Sequence, residues 1–231
     1  MIIYEDRELE AMVLSGDSCI AVPFEIFVPT SGEAQITTYS CFGNIAEKFV
    51  ELFADNMLSS DALNWLDRKL YADVKMFGYE HCLEDVHFMN EYSLSDATLL
   101  KKCDMDDVMI VSSEVELEQY DLSLIDGLVI DDESAVIVKD NKLVSVASAN
   151  DVAFEDRSIE LFVETDSDYR NMGYGAATVC ALSEMYLARG ISVRYKCAKN
   201  NHASIKLAEK CGFEKNGERY SYVCFAIGED K

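Results

Sequence analysis

The chain of 231 residues carries 43 acidic and 20 basic side chains, a net charge of −23, and 49% hydrophobic residues. This length suffices for one large or two small domains with a buried core, and the hydrophobic content excludes a disordered polymer. Because so acidic a chain repels phosphates, we predict no general binding to nucleic acids or to membranes.

The sequence has no secretory leader at its start, and no apolar run approaches the 18 residues of a membrane span. These two features predict a cytoplasmic protein. The eight cysteines are scattered and form no Cys-x-x-Cys pair. In a reducing compartment this pattern predicts free, mostly buried thiols and not a disulfide framework.

Residues 1–83 are predicted to form a small N-terminal α/β region of unknown role. Within it, residues 20–28 and 34–42 are rich in β-branched and aromatic side chains and indicate a β-hairpin. Since Pro23 and Pro29 lack a backbone donor, they either place the first of these strands at a sheet edge or end it.

Two amphipathic helices follow the hairpin. Asn44 is predicted to cap the first helix, with Glu47 completing a capping box, and the second helix begins at Ser60. The next junction holds the densest group of possible metal ligands, but its His-Cys-x4-His spacing matches no common zinc site. We therefore predict a solvated junction without a metal; the group comprises Glu80, His81, Cys82, Glu84, Asp85 and His87.

Residues 84–231 show the order β-α-α-β-β-β-α-β-α-β-β and are predicted to form a second domain. Short helices are expected after Ser95 and from Ser113 to Tyr120. Asp140-Asn141 indicates a hairpin turn, and Asn216-Gly217 indicates a turn between two closing strands.

Charge is distributed unevenly in this second domain. The forty residues from Tyr169 to Ala208 contain a single carboxylate, Glu184, and a net charge of +5 within a strongly acidic chain. The six basic residues of the segment are Arg170, Arg189, Arg194, Lys196, Lys199 and Lys206.

A glycine-rich turn opens this basic segment. Arg170-Asn171-Met172-Gly173-Tyr174-Gly175 follows a predicted strand and precedes a predicted helix. The first N–H groups of a helix have no intrahelical acceptor, and the helix dipole adds positive partial charge there. Together with the local charge, this favours a site for a phosphate-bearing ligand. The alternative is an ordinary strand-turn-helix in a locally basic region.

Three motifs in this order resemble the GNAT superfamily of N-acetyltransferases, in particular a bacterial group with an extra N-terminal region. They are the strand Ile159–Thr165, the loop Arg170-x-x-Gly173-x-Gly175, and Asn201-x-x-Ser204-x-x-Leu207-x-x-Lys210-x-Gly212-Phe213. The resemblance implies an α/β (α+β) fold, with a central mixed, mostly antiparallel sheet flanked by helices.

The resemblance also implies acetyl-CoA as a co-substrate. Its pantetheine arm would align with the strand end, its pyrophosphate with the loop, and its thiol end with the start of the next helix. The implied cofactor-binding residues are Val163, Glu164 and Thr165; Arg170, Asn171, Met172, Gly173, Tyr174, Gly175 and Ala176; and Asn201 and Ser204. Arg194, Lys196 or Lys199 could assist at the 3′-phosphate, although solvated surface charge is the simpler role for each.

An amine must lose a proton before it attacks an acyl group, so a base is required. Members of the family often use a carboxylate on the Ile159–Thr165 strand; Glu160 is our candidate and Glu164 the reserve. The family's frequent general acid, a tyrosine, is replaced by Ala208. Either Ser204 or a water takes its place, or the reaction proceeds without a general acid, since a thiolate is a good leaving group near neutral pH. His202, in the first turn of its helix, is interpreted as a solvent-facing residue.

The leading hypothesis is therefore an acetyl-CoA-dependent N-acetyltransferase acting on a primary amine by direct attack in a ternary complex. The acceptor would be a small molecule or a peptide, and the acidic surface favours a cationic one. A CoA-binding sensor without transfer activity, and an interaction protein built on the same fold, are the alternatives. The sequence leaves the oligomeric state open.

Overall fold

A computed structural model describes residues 1–5, 20–76, 79–81, 88–101, 103, 105, 107–125, 133–149 and 157–226. The described residues form the strands β1 (Ile2–Glu5), β2 (Ile20–Pro29), β3 (Gln35–Tyr39), β4 (Tyr79–His81), β5 (Phe88–Leu94), β6 (Val108–Val111), β7 (Ser134–Lys139), β8 (Lys142–Ala149), β9 (Ser158–Thr165), β10 (Ser192–Ala198) and β11 (Glu214–Ala226). The α-helices are α1 (Gly43–Phe53), α2 (Ser60–Met76), α3 (Tyr174–Ala188) and α4 (His202–Cys211). Single 3-10 turns lie at Ser40–Phe42, Glu114–Leu117, Ser123–Ile125 and Ser167–Tyr169.

The chain divides into two compact units, Met1–Asn90 with Asn216–Lys231, and Glu91–Lys215. In the first unit the strands follow the order β1–β3–β2–β11, and β4 also pairs with β11. β1 runs parallel to β3, and the other pairs of this unit are antiparallel. Helices α1 and α2 bury their apolar faces in a core of fully buried side chains that includes Phe24, Phe42, Phe49, Leu66, Leu70 and Tyr222.

The predicted hairpin is present as β2 and β3, but β2 is not an edge strand. It pairs with β3 on one side and with β11 on the other. The register against β11 shifts between the pairs Phe24–Tyr222 and Ala21–Cys224, so Pro23 lies in a bulge. A bulge leaves a residue out of the ladder, so a proline without an N–H donor is tolerated there.

The predicted N-cap of α1 is wrong. The helix begins at Gly43 directly after the Ser40–Phe42 turn, without any side-chain cap, and Asn44 lies inside it. The N–H of Gly43 donates to the carbonyl of Ser40, so the backbone of the preceding turn takes the place of a cap.

The predicted turn at Asn216-Gly217 is also wrong, because β11 is one continuous strand. Gly217 pairs with Pro29 of β2. A Cβ atom at Gly217 would lie 2.5 Å from a ring carbon of Phe27 and 2.8 Å from the carbonyl oxygen of Val28. This glycine therefore permits a close approach of strands and does not mark a chain reversal.

The second unit, Glu91–Lys215, has the strand order β5–β10–β9–β8–β7–β6. β9 and β10 pair in parallel, and the pairs from β6 to β9 are antiparallel. α3 is buried along most of its length in a core of small and aliphatic side chains, among them Ala147, Val179, Leu182, Val193 and Ala208. The predicted mixed, mostly antiparallel sheet flanked by helices is confirmed.

Two local predictions for this unit are wrong, and one strand was missed. Ser95-Asp96 opens a turn, not a helix, because the Asp96 carboxylate accepts hydrogen bonds from the backbone N–H and the hydroxyl of Thr98. Between Ser113 and Tyr120 the chain forms only the Glu114–Leu117 turn. Strand β6, which the sequence did not predict, pairs with β7.

The domain limits of 1–83 and 84–231 stay a prediction. The helix expected near residues 6–12 and most of the candidate ligands at the 80–87 junction lie outside the described residues. None of the six cysteines within the described ranges forms a disulfide, and four of them are buried. None of the described helices is long and apolar enough to span a membrane.

Candidate functional site

A cleft of about 510 Å³ lies in the second unit, where the end of β9, the start of α3 and the start of α4 meet. Eleven of the twelve predicted cofactor-binding residues line it, and Met172 does not. The lining residues are Val163, Glu164, Thr165, Tyr169, Arg170, Asn171, Gly173, Tyr174, Gly175, Ala176, Asn201, Ala203, Ser204, Lys206, Leu207 and Lys210. The structure thus brings three sequence motifs into one concave surface.

The start of α3 presents backbone donors to this cleft. Asn171 and Gly173 adopt positive φ angles of 63° and 91°, and they turn the chain sharply into the helix. The first helical hydrogen bond runs from the N–H of Ala177 to the carbonyl of Gly173. The N–H groups of Tyr174, Gly175 and Ala176 precede this bond, at the positive end of the helix dipole. This geometry suits an anion.

Gly175 allows α3 to start close against β9. A Cβ atom at this position would lie 3.0 Å from the hydroxyl oxygen of Thr165 and 3.8 Å from side-chain carbons of Val163 and Leu207. The glycine therefore serves close packing, whereas Gly173 serves a backbone conformation that other residues adopt only with strain.

The backbone of β9 also opens toward the cleft. The registered pairs between β9 and β10 end at Leu161 and Tyr195, and the remaining residues of β9 continue to pair with β8. The last residues of β9, Val163 to Thr165, line the cleft. Two parallel strands that separate in this way leave backbone groups available to an extended ligand.

Arg170 and Glu164 form an ion pair at the cleft, with a distance of 3.0 Å between the guanidinium and the carboxylate. Arg170 also donates through Nε to the carbonyl of Thr165 at 3.0 Å, and the Thr165 N–H donates to the same Glu164 oxygen at 3.2 Å. These bonds fix the guanidinium beside the glycine-rich turn. They also engage Glu164, the reserve candidate for the base.

Helix α4 forms the opposite wall. The side chain of Asn201 caps it by accepting from the Ser204 N–H at 3.1 Å. Ala203, Lys206, Leu207 and Lys210 line the cleft as well, and none of them was predicted. Their spacing of three, four and seven residues places them on one helix face, a signal that the sequence already contained. The cleft therefore has three cationic side chains and one carboxylate.

Tyr195 is a further residue that the sequence did not single out. It lies on β10 and is 2% exposed. Burial raises the pKa of Tyr195 to about 12, and a hydrogen bond with Ser204 opposes that rise. The phenol is therefore protonated at neutral pH, and it contacts a hydroxyl that lines the cleft. Ala208, at the position of the family's tyrosine, is fully buried and lacks a polar group.

Glu160, the first candidate for the base, does not line the cleft. Its carboxylate lies 2.8 Å from the ammonium of Lys196, which is also 3.8 Å from the buried carboxylate of Glu91. Of the three cations considered for a 3′-phosphate, Lys196 is thus held by carboxylates. Arg194 and Lys199 are likewise outside the cleft lining. His202 is exposed, as expected.

The basic segment of the sequence serves more than one purpose. Arg189, at the end of α3, pairs with Glu133 at 2.7 Å, and Lys196 pairs with Glu160. Only Arg170 and Lys206 of its six basic residues line the cleft. The positive charge that is continuous in the sequence is therefore distributed in space, and Arg170, Arg189 and Lys196 pair with carboxylates from outside the segment.

Residues 103–213 match the sequence model of the Acetyltransferase (GNAT) family. This part of the chain contains the whole cleft and is similar to that family of acetyltransferases. The resemblance drawn from the three motifs is confirmed, while the subgroup with an extra N-terminal region stays a prediction. Among curated proteins, none matches the chain.

Two solved structures with TM-scores above 0.5 have the same fold. A protein of Novosphingobium aromaticivorans described as a GNAT-family acetyltransferase is 15% identical, with a TM-score of 0.53; the match covers 64% of this chain and 68% of that one. A Drosophila protein is 16% identical, with a TM-score of 0.51, over 72% of this chain and 59% of that one. A GCN5-related N-acetyltransferase-like protein of Streptococcus suis is 17% identical over 92% of both chains, with a TM-score of 0.47.

Proposed function

We propose that this protein is an acetyl-CoA-dependent N-acetyltransferase that transfers an acetyl group to a primary amine. The observation that carries the proposal is the start of α3, where N–H groups outside the helical ladder point into a cleft that also contains Arg170, Lys206 and Lys210. A ligand with several phosphate charges complements such a surface. The cleft lies within the segment that is similar to the acetyltransferase family.

The residues present fit this ligand. A side chain at Gly173 or Gly175 would strain or crowd the turn, so the sequence keeps the backbone accessible where a diphosphate requires it. The N–H groups at the start of α3 would hold the diphosphate, with Arg170 beside them. The end of β9 would align with the amide-containing arm. Asn201 and Ser204 would lie along the remainder.

Acetyl-CoA supplies the acyl group as a reactive thioester. The protein's task is to orient that group and the acceptor amine, which accounts for much of the rate in such reactions. Ser204 offers a hydroxyl inside the cleft, and the protonated phenol of Tyr195 fixes its orientation through a hydrogen bond. We propose Glu160 as the base that removes the proton from the amine, directly or through water.

The acceptor is proposed to be a cationic amine, either a small molecule or a peptide. The net charge of −23 attracts cations over long range and speeds their encounter with the protein. We propose neither nucleic acid nor a membrane as a partner, because both are polyanions or carry anionic surfaces.

A second candidate function is a CoA-binding sensor without transfer activity. Two observations favour it. The position of the family's tyrosine is a buried alanine, Ala208, and both candidate bases are engaged in ion pairs, Glu160 with Lys196 and Glu164 with Arg170.

The test combines titration calorimetry of CoA with a thiol-release assay that uses acetyl-CoA and a panel of mono- and polyamines. An enzyme binds CoA, and it releases the free thiol of CoA from acetyl-CoA only when an acceptor amine is present. Binding without acceptor-dependent release supports the sensor. Absence of CoA binding contradicts both functions.

Glu160→Gln tests the base within the same assay. We expect transfer to slow roughly a hundredfold, a typical loss for a general base, while CoA affinity is unchanged because Glu160 does not line the cleft. Glu164→Gln is the matched comparison: as a partner of Arg170, Glu164 should affect binding of CoA more than the transfer step. If Glu164→Gln slows the transfer step and Glu160→Gln does not, Glu164 is the base.

A further inference from the structure

A chain of three hydroxyls, two of them fully buried, connects the two sides of the cleft. Ser145 on β8 is fully buried, and its Oγ lies 2.9 Å from the hydroxyl of Thr165 and 3.4 Å from the hydroxyl of Thr178. Thr178, on α3 and also fully buried, donates to the carbonyl of Gly175 at 3.1 Å. Thr165 and Gly175 both line the cleft.

Counting protons limits the directions of these hydrogen bonds. Each hydroxyl has one proton to donate, and Thr178 uses its own for the carbonyl of Gly175. Thr165 can then donate to Ser145. The single proton of Ser145 has two acceptors within reach, the carbonyl of Glu164 at 3.3 Å on β9 and the hydroxyl of Thr178 at 3.4 Å on α3. Buried hydroxyls in such a chain polarise one another and hold their neighbours in one arrangement.

The ends of this chain are the two elements that must keep a fixed spacing. Gly175 carries one of the N–H groups at the start of α3, and Thr165 ends the strand that lines the cleft. A Cβ atom at Gly175 would lie only 3.0 Å from the Thr165 hydroxyl, so strand and helix are already in close contact. Ser145 is the one residue of β8 that bonds to both sides of that contact.

We propose that Ser145 is a positioning residue for the cleft, which sets the distance between the β9 end and the N–H groups of α3 and so determines affinity for a CoA-type diphosphate ligand. This inference rests on the proposed function. Ser145 does not line the cleft and acts through Thr165, Thr178 and the carbonyl of Glu164.

The same sheet supplies a matched control. Ser134 of β7 and Ser148 of β8 also pair their hydroxyls across neighbouring strands, and Ser134 is fully buried. Neither residue contacts the cleft lining through this bond. Ser134→Ala therefore removes a buried hydroxyl of the same sheet without touching the chain that ends at Gly175.

The experiment measures CoA affinity by calorimetry for the full-length wild-type protein and for Ser145→Ala, Thr178→Val and Ser134→Ala, at a temperature where near-ultraviolet circular dichroism shows all to be folded. The loss of one buried hydrogen bond predicts roughly five- to tenfold weaker binding for Ser145→Ala and for Thr178→Val. Thr178→Ser keeps the hydroxyl and is expected to recover most of that loss. The double variant should bind no more weakly than the weaker single variant, because both changes break one chain.

Hydrogen exchange of the free proteins gives a second readout. Ser145→Ala should speed exchange of the Ala177 amide, which makes the first hydrogen bond of α3, whereas Ser134→Ala should not. The inference is overturned if Ser145→Ala binds CoA within twofold of wild type, or if Ser134→Ala loses as much CoA affinity as Ser145→Ala. Either result leaves the proposed function intact. A wild-type protein that does not bind CoA overturns both.

Discussion

Two helices of this protein begin in a similar way and differ in what surrounds them. Both α1 and α3 start at or directly after a glycine, soon after a 3-10 turn, and neither has a side-chain cap. At α1, Gly43 has a helical φ of −52°, and a Cβ atom there would lie 3.1 Å from the ring of Tyr4. At α3, Gly173 has a φ of 91° and lines a cleft.

The two helix starts differ in what surrounds their first backbone N–H groups. At the start of α1 the ring of Tyr4 lies against Gly43, and the N–H of Gly43 is satisfied by Ser40. The start of α3 faces a concave surface with Arg170, Lys206 and Lys210 around it. A helix N-terminus by itself is thus not a binding site. The residues that surround it, and the direction from which the chain enters, decide whether a ligand can reach its donors.

Among the variants that test this difference between the two helix starts, Arg170→Ala should cause the largest loss of CoA affinity. The guanidinium is the charged partner closest in sequence to the N–H groups of α3, and the loss of a charge-assisted hydrogen bond to phosphate predicts roughly ten- to a hundredfold weaker CoA binding. Calorimetry measures the change. Arg189→Ala removes the same charge from the other end of α3, where Arg189 pairs with Glu133, and should leave affinity within twofold. Equal losses of CoA affinity in the two variants would show that the net charge of the protein, and not the position of Arg170, causes the effect.

Gly173→Ala should weaken CoA binding by about tenfold, because a left-handed residue with a Cβ costs on the order of 1 kcal/mol and shifts the turn that presents the amides. Gly190 provides the control: it also has a positive φ, of 71°, and a Cβ atom there meets nothing within 4 Å. Both variants should lose similar thermal stability, and only Gly173→Ala should lose affinity. A similar affinity loss at Gly190 would mean that global destabilisation is the cause.

Lys206→Gln and Lys210→Gln are expected to have smaller effects, roughly two- to fivefold each, since both lysines are exposed and their attraction to phosphate is screened by salt. The loss should shrink when CoA is titrated at high ionic strength. Lys199→Gln, an exposed lysine outside the cleft lining, should have no effect. If the two lysine variants bind as wild type at low salt, α4 contributes shape and not charge.

The smallest effect is expected from Gly43→Ala. The helical φ accepts a side chain without strain, and the contact with the Tyr4 ring requires only a small displacement. The free energy of unfolding should change by less than about 1 kcal/mol, and CoA affinity should not change. A marked loss of CoA affinity in this variant would contradict the distinction drawn between the two helix starts.

The sequence by itself predicted the residues that begin and line the cleft along β9 and α3, because strand, glycine-rich turn and helix are contiguous and their conformations are local. The bounds of β9 and the start and end of α3 followed from alternation, glycine and cap signals that act within a few residues. Charge in the sequence was less informative, since Arg189 and Lys196 pair with carboxylates that are distant along the chain.

Only the tertiary structure decided what depends on approach between distant segments. In the folded protein Lys206 and Lys210 line the cleft, Glu160 does not, and Glu164 forms an ion pair with Arg170. The tertiary structure also made Gly217 a site of close strand contact and Pro23 a bulge within an interior strand. Local propensity determines what a segment can become, but side-chain pairing and strand register are properties of two segments at once, and no single segment specifies them.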